Sequence, residues 1–126
     1  MGIASINSKK TFILDEAQEL LPVIWKITDS ANAKFMRLTH RLESVRDTSP
    51  EMATQIDKEI EDLVTSWKMK LRKLGVSPKG LWLADFDNGS GYYCWKFPER
   101  QITHTHGYQD GFLGRRLIRN LKEVRE

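Results

Sequence analysis

The feature that most constrains the fold is a pair of long apolar stripes at helical spacing. In each stripe the apolar residues recur at steps of three and four, so they share one helical face. The first stripe consists of Ile24, Ile27, Ala31, Phe35, Leu38, Leu42 and Val45. The second consists of Met52, Ile56, Ile60, Leu63, Trp67, Leu71 and Leu74. Two such stripes joined by a short turn predict an antiparallel helical hairpin over residues 15–75, packed in the manner of a coiled coil.

Signals for helix ends flank both stripes. Asp15, with Gln18 three residues later, resembles a capping box at the start of the first helix. Pro22 lacks the N–H that would bond back to Gln18, so we expect a kink, or a short helix followed by a long one. Ser49 is a good N-cap for the second helix, and Gly75 is placed to end it.

A second unit is predicted over residues 80–116, where the spacing changes to that of strands. Two runs, 81–86 and 92–97, flank an Asn-Gly step that favours a hairpin turn, and residues 101–106 alternate as a third strand. The predicted fold class is therefore α+β: a long antiparallel helical hairpin, a small three-stranded antiparallel meander and a short basic C-terminal helix over 115–126. We expect one domain, 1–126, with a flexible N-terminus at 1–11.

Two registers are possible for the third strand. A three-residue loop places Cys94 beside His104, and it places Tyr92 beside His106. A four-residue loop instead turns both histidines to the aromatic face that contains Trp95, which we expect to pack on the helices. The first register is preferred because it keeps polar groups together and apolar groups together.

In the preferred register Cys94, His104 and His106 share one face of the sheet. Thiolate and imidazole are ligands that suit zinc. Possible fourth ligands are Asp85, Asp87 and Asp110. The spacing matches no common zinc pattern, so a metal site is not favoured, and no other cofactor is predicted. The alternative is a polar sheet face whose histidines bond to backbone, water or Glu99.

A glycine-rich segment that ends in two arginines follows the third strand. Its glycines permit sharp turns, and Arg115 and Arg116 offer forked donors suited to phosphate or carboxylate. The segment is not a P-loop, because the Gly-Lys-Ser/Thr ending is missing. Together with the preceding histidines it would form an anion pocket. Alternatively, the glycines serve the turn and the arginines pair with Asp85, Asp110 or Glu99. Both interpretations stay open.

Charge and composition exclude some classes of protein. The net charge of +3 comes from the two ends of the chain, since the rest is nearly balanced. This distribution argues against nucleic-acid binding as a main function. A single cysteine excludes an internal disulfide and fits a cytoplasmic location. We expect no signal peptide and no transmembrane segment, because no apolar run approaches the roughly 18 residues of a span.

Several short motifs resemble those of a known family. They are Asp15-Glu16-Ala17, Leu20-Leu21-Pro22, Asp85-Phe86, Cys94-Trp95-Lys96, Glu99, His106 and Gly111-Phe112-x-Gly114-Arg115. On these motifs the chain is similar to the prokaryotic family called domain of unknown function 2203. The resemblance implies a helical hairpin with a small C-terminal β unit, and it supplies no activity. Family members have glycine where this chain has Pro98 and tryptophan where it has Thr105. The second exchange implies the loss of an aromatic wall from a shared site.

The motifs and the polar sheet face together give a set of candidate ligand-binding residues. They are Asp85, Trp95, Lys96, Glu99, His104, His106, Arg115 and Arg116. The leading hypothesis is a non-catalytic binding or assembly protein. It would form a homodimer through its hairpin and bind an anionic small molecule or an acidic protein partner at the His/Arg face.

Two alternative functions belong to other classes. One is an enzyme that acts on a phosphorylated or carboxylated substrate, with His106 as the catalytic acid–base. It ranks lower because the sequence offers no obvious nucleophile or paired carboxylates. The other is nucleic-acid binding through the basic C-terminal tail, which carries Arg119 and Lys122 beyond the arginine pair.

Overall fold

A computed structural model describes residues 10–118 and shows a helical hairpin followed by an antiparallel sheet, which confirms the α+β class. The helices are α1 (Leu14–Val45) and α2 (Pro50–Lys73). The strands are β1 (Ser77–Pro78), β2 (Leu83–Asp87), β3 (Tyr92–Lys96), β4 (His104–His106) and β5 (Arg116–Leu117). They form one five-stranded sheet in the order β1-β2-β3-β4-β5. Most of the N-terminus predicted to be flexible, residues 1–9, lies outside the described residues.

The start of α1 differs from the sequence prediction. The capping interaction uses Ile13, whose backbone N–H donates to Glu16 Oε1 at 3.0 Å, so the predicted Asp15/Gln18 box is wrong. Gln18 instead binds Ile102, 84 residues away: its Oε1 accepts from the Ile102 N–H at 2.9 Å, and its Nε2 donates to the Ile102 carbonyl at 3.0 Å. Pro22 lies inside one continuous helix of 32 residues, so of the two alternatives predicted for it, a kink or a division into two helices, the division is wrong.

Both ends of α2 follow the prediction. Ser49 Oγ accepts a hydrogen bond from the Met52 N–H at 3.4 Å, as an N-cap should. At the other end Gly75 adopts φ +83°, a conformation that L side chains rarely take. Its N–H donates to the Arg72 carbonyl, and the Val76 N–H donates to the Leu71 carbonyl, each at 3.0 Å. These two bonds satisfy carbonyls that the helix end would otherwise leave without partners.

An aromatic cluster joins the hairpin to the sheet. Trp82 precedes β2 and donates from Nε1 to Asn32 Oδ1 at 3.0 Å. Its ring meets Trp67 of α2 edge-on at 5.0 Å and Phe35 of α1 at 5.8 Å. Trp67 in turn donates from Nε1 to Thr28 Oγ1 at 2.8 Å, so its buried polar atom is satisfied. The core of the domain therefore lies where both helices meet the inner face of the sheet.

The predicted register of the third strand is confirmed. Tyr92 pairs with His106, and Cys94 pairs with His104. The aromatic residues Tyr93 and Trp95 are buried against the helices, also as predicted. Because the pairing fixes which side chains share a face, the alternate residues of β3 and β4 point to the outer face of the sheet.

The sheet has two strands more than the predicted meander. Both additions, β1 and β5, are only two residues long, too short for an alternating pattern to reveal them. The predicted C-terminal helix from Arg115 is wrong within the described residues. A 3-10 turn, Phe112–Gly114, leads directly into β5, which pairs with β4. The remainder of the predicted helix, 119–126, lies outside the described residues.

Candidate functional site

A small cavity of about 150 Å³ lies on the outer face of the sheet, under the loop that follows β4. The residues that line it are Lys79, Leu83, Asp85, Tyr92, Cys94, His106, Tyr108, Gly111 and Phe112. Strands β2, β3 and β4 supply its floor because Asp85, Cys94 and His106 all point away from the helices. Aromatic rings from Tyr92 and Tyr108, 5.1 Å apart, form one wall.

Three chemically reactive side chains meet at the floor of this cavity. Asp85, Cys94 and His106 are 4%, 1% and 3% exposed. Each offers one ligand atom, and these atoms all lie within 4.8 Å of one another. Cys94 and Asp85 are direct partners across β2 and β3, and His106 reaches them from β4. The register of the sheet is therefore what assembles the cluster.

The hydrogen bonds of His106 define its orientation. Its Nδ1 lies 2.8 Å from the Gly107 carbonyl, which can only accept, so Nδ1 carries a proton. Its Nε2 lies 3.1 Å from Asp85 Oδ1. Without a metal, that contact needs a proton on the nitrogen or on the carboxyl. The cluster therefore holds a shared proton among side chains that are at most 4% exposed.

Burial controls the ionisation of the other two members. It raises the pKa of Asp85, against the opposing effect of the His106 ring. Burial, helped by the Asp85 carboxylate, also raises the pKa of Cys94 to about 11. The thiol is consequently protonated near neutral pH and is a poor nucleophile. Both ring nitrogens of His106 have other partners, and the group that accepts from the Cys94 thiol is the Asp85 carboxyl. The cluster is not a cysteine–histidine nucleophile pair.

The structure assembles a different set from the one that the sequence suggested for a metal. His104 is half-buried, its Nδ1 lies 3.0 Å from Thr103 Oγ1, and it does not belong to the cluster. Asp85, considered as a fourth ligand, takes its place. The other two candidates have separate partners: Asp87 accepts from the Tyr108 hydroxyl at 2.7 Å, and Asp110 accepts from the Gly107 N–H at 2.9 Å.

Arg115 lies beside the cluster, next to Cys94. It donates to both carboxylate oxygens of Glu99, from Nη1 at 3.3 Å and from Nη2 at 3.0 Å. Its guanidinium also stacks on the Phe112 ring, 4.6 Å from the centroid. Glu99 Oε1 accepts in addition from the Lys96 N–H at 2.8 Å. The arginine also has a side-chain hydrogen bond with Cys94, and the His106 ring lies within 4.8 Å of the same sulfur.

The remaining candidate ligand-binding residues lie away from the cavity. Trp95 is fully buried on the opposite face, where its Nε1 donates to the Glu99 carbonyl at 2.7 Å. Arg116 is exposed and pairs with Thr105 on that same opposite face. Lys96 is exposed, and its backbone rather than its side chain bonds to Glu99.

Thr105 occupies the position where the family resemblance implied an aromatic wall. It pairs with Tyr93, whose side chain faces the helices, and its Oγ1 donates to the Tyr92 carbonyl at 2.8 Å. A side chain at this position does not line the cavity. The expected loss of a site wall is therefore wrong.

Lys79 and Tyr108 line the cavity but were not among the candidate ligand-binding residues. Lys79 enters because β1 pairs with β2, and its ammonium lies 5.2 Å from the centre of the Tyr92 ring. Tyr108 enters because the loop after β4 folds back over the sheet, which lets its hydroxyl reach Asp87. Nothing in the sequence around Lys79 or Tyr108 indicates that its side chain lines a cavity.

Comparison with known proteins gives one match. Residues 10–118 match the family of domain of unknown function 2203, described as an uncharacterized conserved protein. No curated protein and no solved structure matches the chain. Neither helix of the described residues is long and apolar enough to cross a membrane. Because the match covers 109 positions, from 10 to 118 of 126, the chain belongs to the family of domain of unknown function 2203.

Proposed function

We propose that this protein binds a divalent transition metal ion, zinc above all, through Asp85, Cys94 and His106. The observation that carries the proposal is the convergence of a buried carboxylate, thiol and imidazole within 4.8 Å. Oxygen, sulfur and nitrogen donors of these types are the ones that zinc takes in proteins.

The orientation of His106 supports this proposal. Metal-bound histidines commonly donate their second ring N–H to a backbone carbonyl, which fixes the tautomer and the plane of the ring. The 2.8 Å contact from Nδ1 to the Gly107 carbonyl is such an interaction. Once the proton shared with Asp85 has left, the lone pair of Nε2 faces Asp85 and is available to a metal.

Charge balance supports it further. A doubly charged cation bound by the Asp85 carboxylate, the Cys94 thiolate and a neutral His106 gives a site of zero net charge. A neutral arrangement suits a place where all three side chains are at most 4% exposed. Binding would displace the thiol proton and the shared proton between Asp85 and His106.

Three protein ligands leave a coordination position for water or a small ligand. The cavity of about 150 Å³ lies beside the cluster, with the Lys79 ammonium among its lining groups. An anionic group bound there would contact both the metal and a lysine. We therefore keep the anionic ligand predicted from sequence, and we propose that Lys79 rather than Arg116 contacts it. Because both nitrogens of His106 face acceptors, an acid–base role for it receives less support, and a non-catalytic role remains our preference.

Cobalt titration of the full-length, untagged and reduced protein tests the proposal. Co²⁺ bound to a thiolate gives a near-ultraviolet charge-transfer band, and we expect that band to appear and to be abolished by added Zn²⁺. Asp85→Asn, Cys94→Ser and His106→Gln should each weaken Co²⁺ binding by at least about tenfold. The matched control is His104→Gln, a histidine two residues from His106 in the same strand but outside the cluster.

The control also separates the two possible ligand sets. Unchanged Co²⁺ affinity in His104→Gln would agree with the proposed set. An equal loss in His104→Gln, or the absence of a thiolate band in the wild-type protein, would overturn it. Circular dichroism of each variant establishes that the fold is intact, so a loss of metal binding is not a loss of structure.

Homodimerisation through the hairpin is a separate proposal. It is supported by two exposed methionines of the hairpin, Met36 at 61% and Met52 at 45%. Sedimentation velocity at micromolar concentration tests it. We expect a dimer that Met36→Lys with Met52→Lys converts to a monomer, and a wild-type monomer would contradict the proposal.

A further inference from the structure

We propose that the groove between α1 and α2 is a docking site for an acidic amphipathic helix of a partner protein. This interaction surface is independent of the metal cluster and goes beyond the proposed function. The groove has a volume of about 360 Å³, more than twice that of the cavity on the outer sheet face. It lies on the surface of the hairpin, in the half of the hairpin nearer to the sheet.

The floor of the groove is apolar. Ile27 and Ala31 of α1 and Leu63 and Trp67 of α2 form it, and Val23 at one end is 48% exposed. Trp67 is only 1% exposed and its one polar atom is bonded to Thr28, so the apolar surface that an occupant would contact belongs mainly to the half-buried Ile27 and Leu63. Such a floor favours the leucine or isoleucine side chains of a helix that lies along it.

Lysines stand on both sides of this floor. Lys26 and Lys34 belong to α1, and Lys70 belongs to α2. All three are exposed, and none of the described residues that line the groove is acidic. An occupant with an apolar stripe flanked by carboxylates would match the floor and both rims at once. Charge complementarity of this kind fixes the orientation of a partner and excludes basic ones.

The dimensions fit a short helix. Val23 and Lys34 mark the limits of the groove along α1. Eleven steps at about 1.5 Å per residue give a length of roughly 17 Å, or about three helical turns. A segment of 12 to 15 residues would therefore cover the groove.

A second copy of the same chain does not suit this surface. A symmetric contact places the same patch on both subunits. Lysines of one copy would then face lysines of the other, with no acidic residue among the groove-lining positions to offset them. The occupant is accordingly a different, acidic segment.

Binding of a synthetic peptide to the full-length protein tests the proposal. The probe is a peptide of about 14 residues with leucines at helical spacing of three and four and glutamates elsewhere. Isothermal titration calorimetry measures its affinity, and amide chemical shifts locate its site. We expect binding that weakens as the salt concentration rises from about 0.05 to 0.5 M. A scrambled peptide of the same composition should bind at least about tenfold more weakly.

Two variants address the two components of the surface. Lys26→Glu with Lys70→Glu reverses one charge on each rim and should weaken peptide binding by at least about tenfold. Its matched control is Arg46→Glu with Arg72→Glu, which makes the same charge change. Both arginines are exposed and lie outside the groove, Arg46 just after α1 and Arg72 in α2. Ser66→Trp fills the groove without changing its charge and should abolish binding.

The possible results decide the matter. Weak binding in the groove pair, normal binding in the control pair and shifted amides around Trp67 would agree with the proposal. Equal losses in both pairs would show attraction to net charge alone and would overturn it. Equal affinity for the scrambled peptide, or a wild-type dimer that buries this groove, would overturn it as well.

Discussion

Ionisation of Cys94 gives a quantitative test of how the cluster is packed. Burial raises the pKa of this thiol from its ordinary value of 9.0 to about 11 in the metal-free protein. The folded protein therefore keeps the thiol proton to a higher pH than the unfolded chain does. The resulting stability is fully present below pH 9.0 and is lost as the pH rises toward 11. At about 1.36 kcal/mol per pKa unit, the loss amounts to about 2.7 kcal/mol.

The assay is denaturant unfolding of wild type and Cys94→Ala at several pH values from 8 to about 11, with chelator and reductant present. Groups that titrate in both proteins, such as buried Tyr93, cancel in the difference between the two free energies of unfolding. Cys94→Ala costs stability at pH 8 through the cavity that it leaves. That cost should shrink on going to alkaline pH, by most of about 2.7 kcal/mol at pH 11. A difference that stays constant within about 0.5 kcal/mol would refute the argument, since the thiol would then ionise as freely in the folded protein as in the unfolded chain.

Two further substitutions test how the site is held. A Cβ on Gly91 would lie 2.6 Å from the His106 carbonyl oxygen, so Gly91→Ala should cost about 1–3 kcal/mol in chemical denaturation and weaken Co²⁺ binding. The control is Gly89→Ala in the same turn, where a Cβ meets nothing within 4 Å. It should cost about 1 kcal/mol because of the positive φ, and it should leave Co²⁺ binding unchanged. Equal metal affinities in the two variants would argue against this steric explanation. Gln18→Ala should cost about 1–3 kcal/mol, because it leaves the N–H and the carbonyl of Ile102 without their partners. A thermal unfolding temperature unchanged from wild type would contradict that role for Gln18.

Much of the fold was predictable because its determinants are local. Steps of three and four define the helical stripes, and Ser49 and Gly75 carry end signals that operate within one turn. The register of β4 followed from loop length together with the separation of polar and apolar faces. These features depend on residues near one another in the chain, so a single sequence contains them.

The errors arise where a distant contact outweighs a local pattern. Leu113 and Leu117 have the spacing of a helical face, yet they are 96% and 66% exposed. Pairing of the segment with β4 prevails over that spacing. Gln18 resembles half of a capping box, but its side chain binds the backbone of a residue 84 positions later. Neither contact leaves a trace in the neighbouring sequence.

The composition of the cluster was only partly predictable for the same reason. Cys94 and His106 were identified from strand alternation, which is local. The choice between Asp85 and His104 as their companion depends on how β2, β3 and β4 lie side by side and on which rings turn inward. Trp95 shares a motif with Cys94, yet alternation places it in the core, so proximity in the sequence did not mean a shared site.

The backbone of Trp82 has a consequence for how the molecule unfolds. This residue adopts φ +61°, which a bulky L residue rarely does, and so directs its indole between the two helices. The ring acts as a wedge that contacts Trp67 and Phe35 at once. Separating the sheet from the hairpin would remove this wedge and leave an unfilled hole between the helices. Hairpin and sheet should therefore melt in a single cooperative transition, and neither should persist as an independent folding unit.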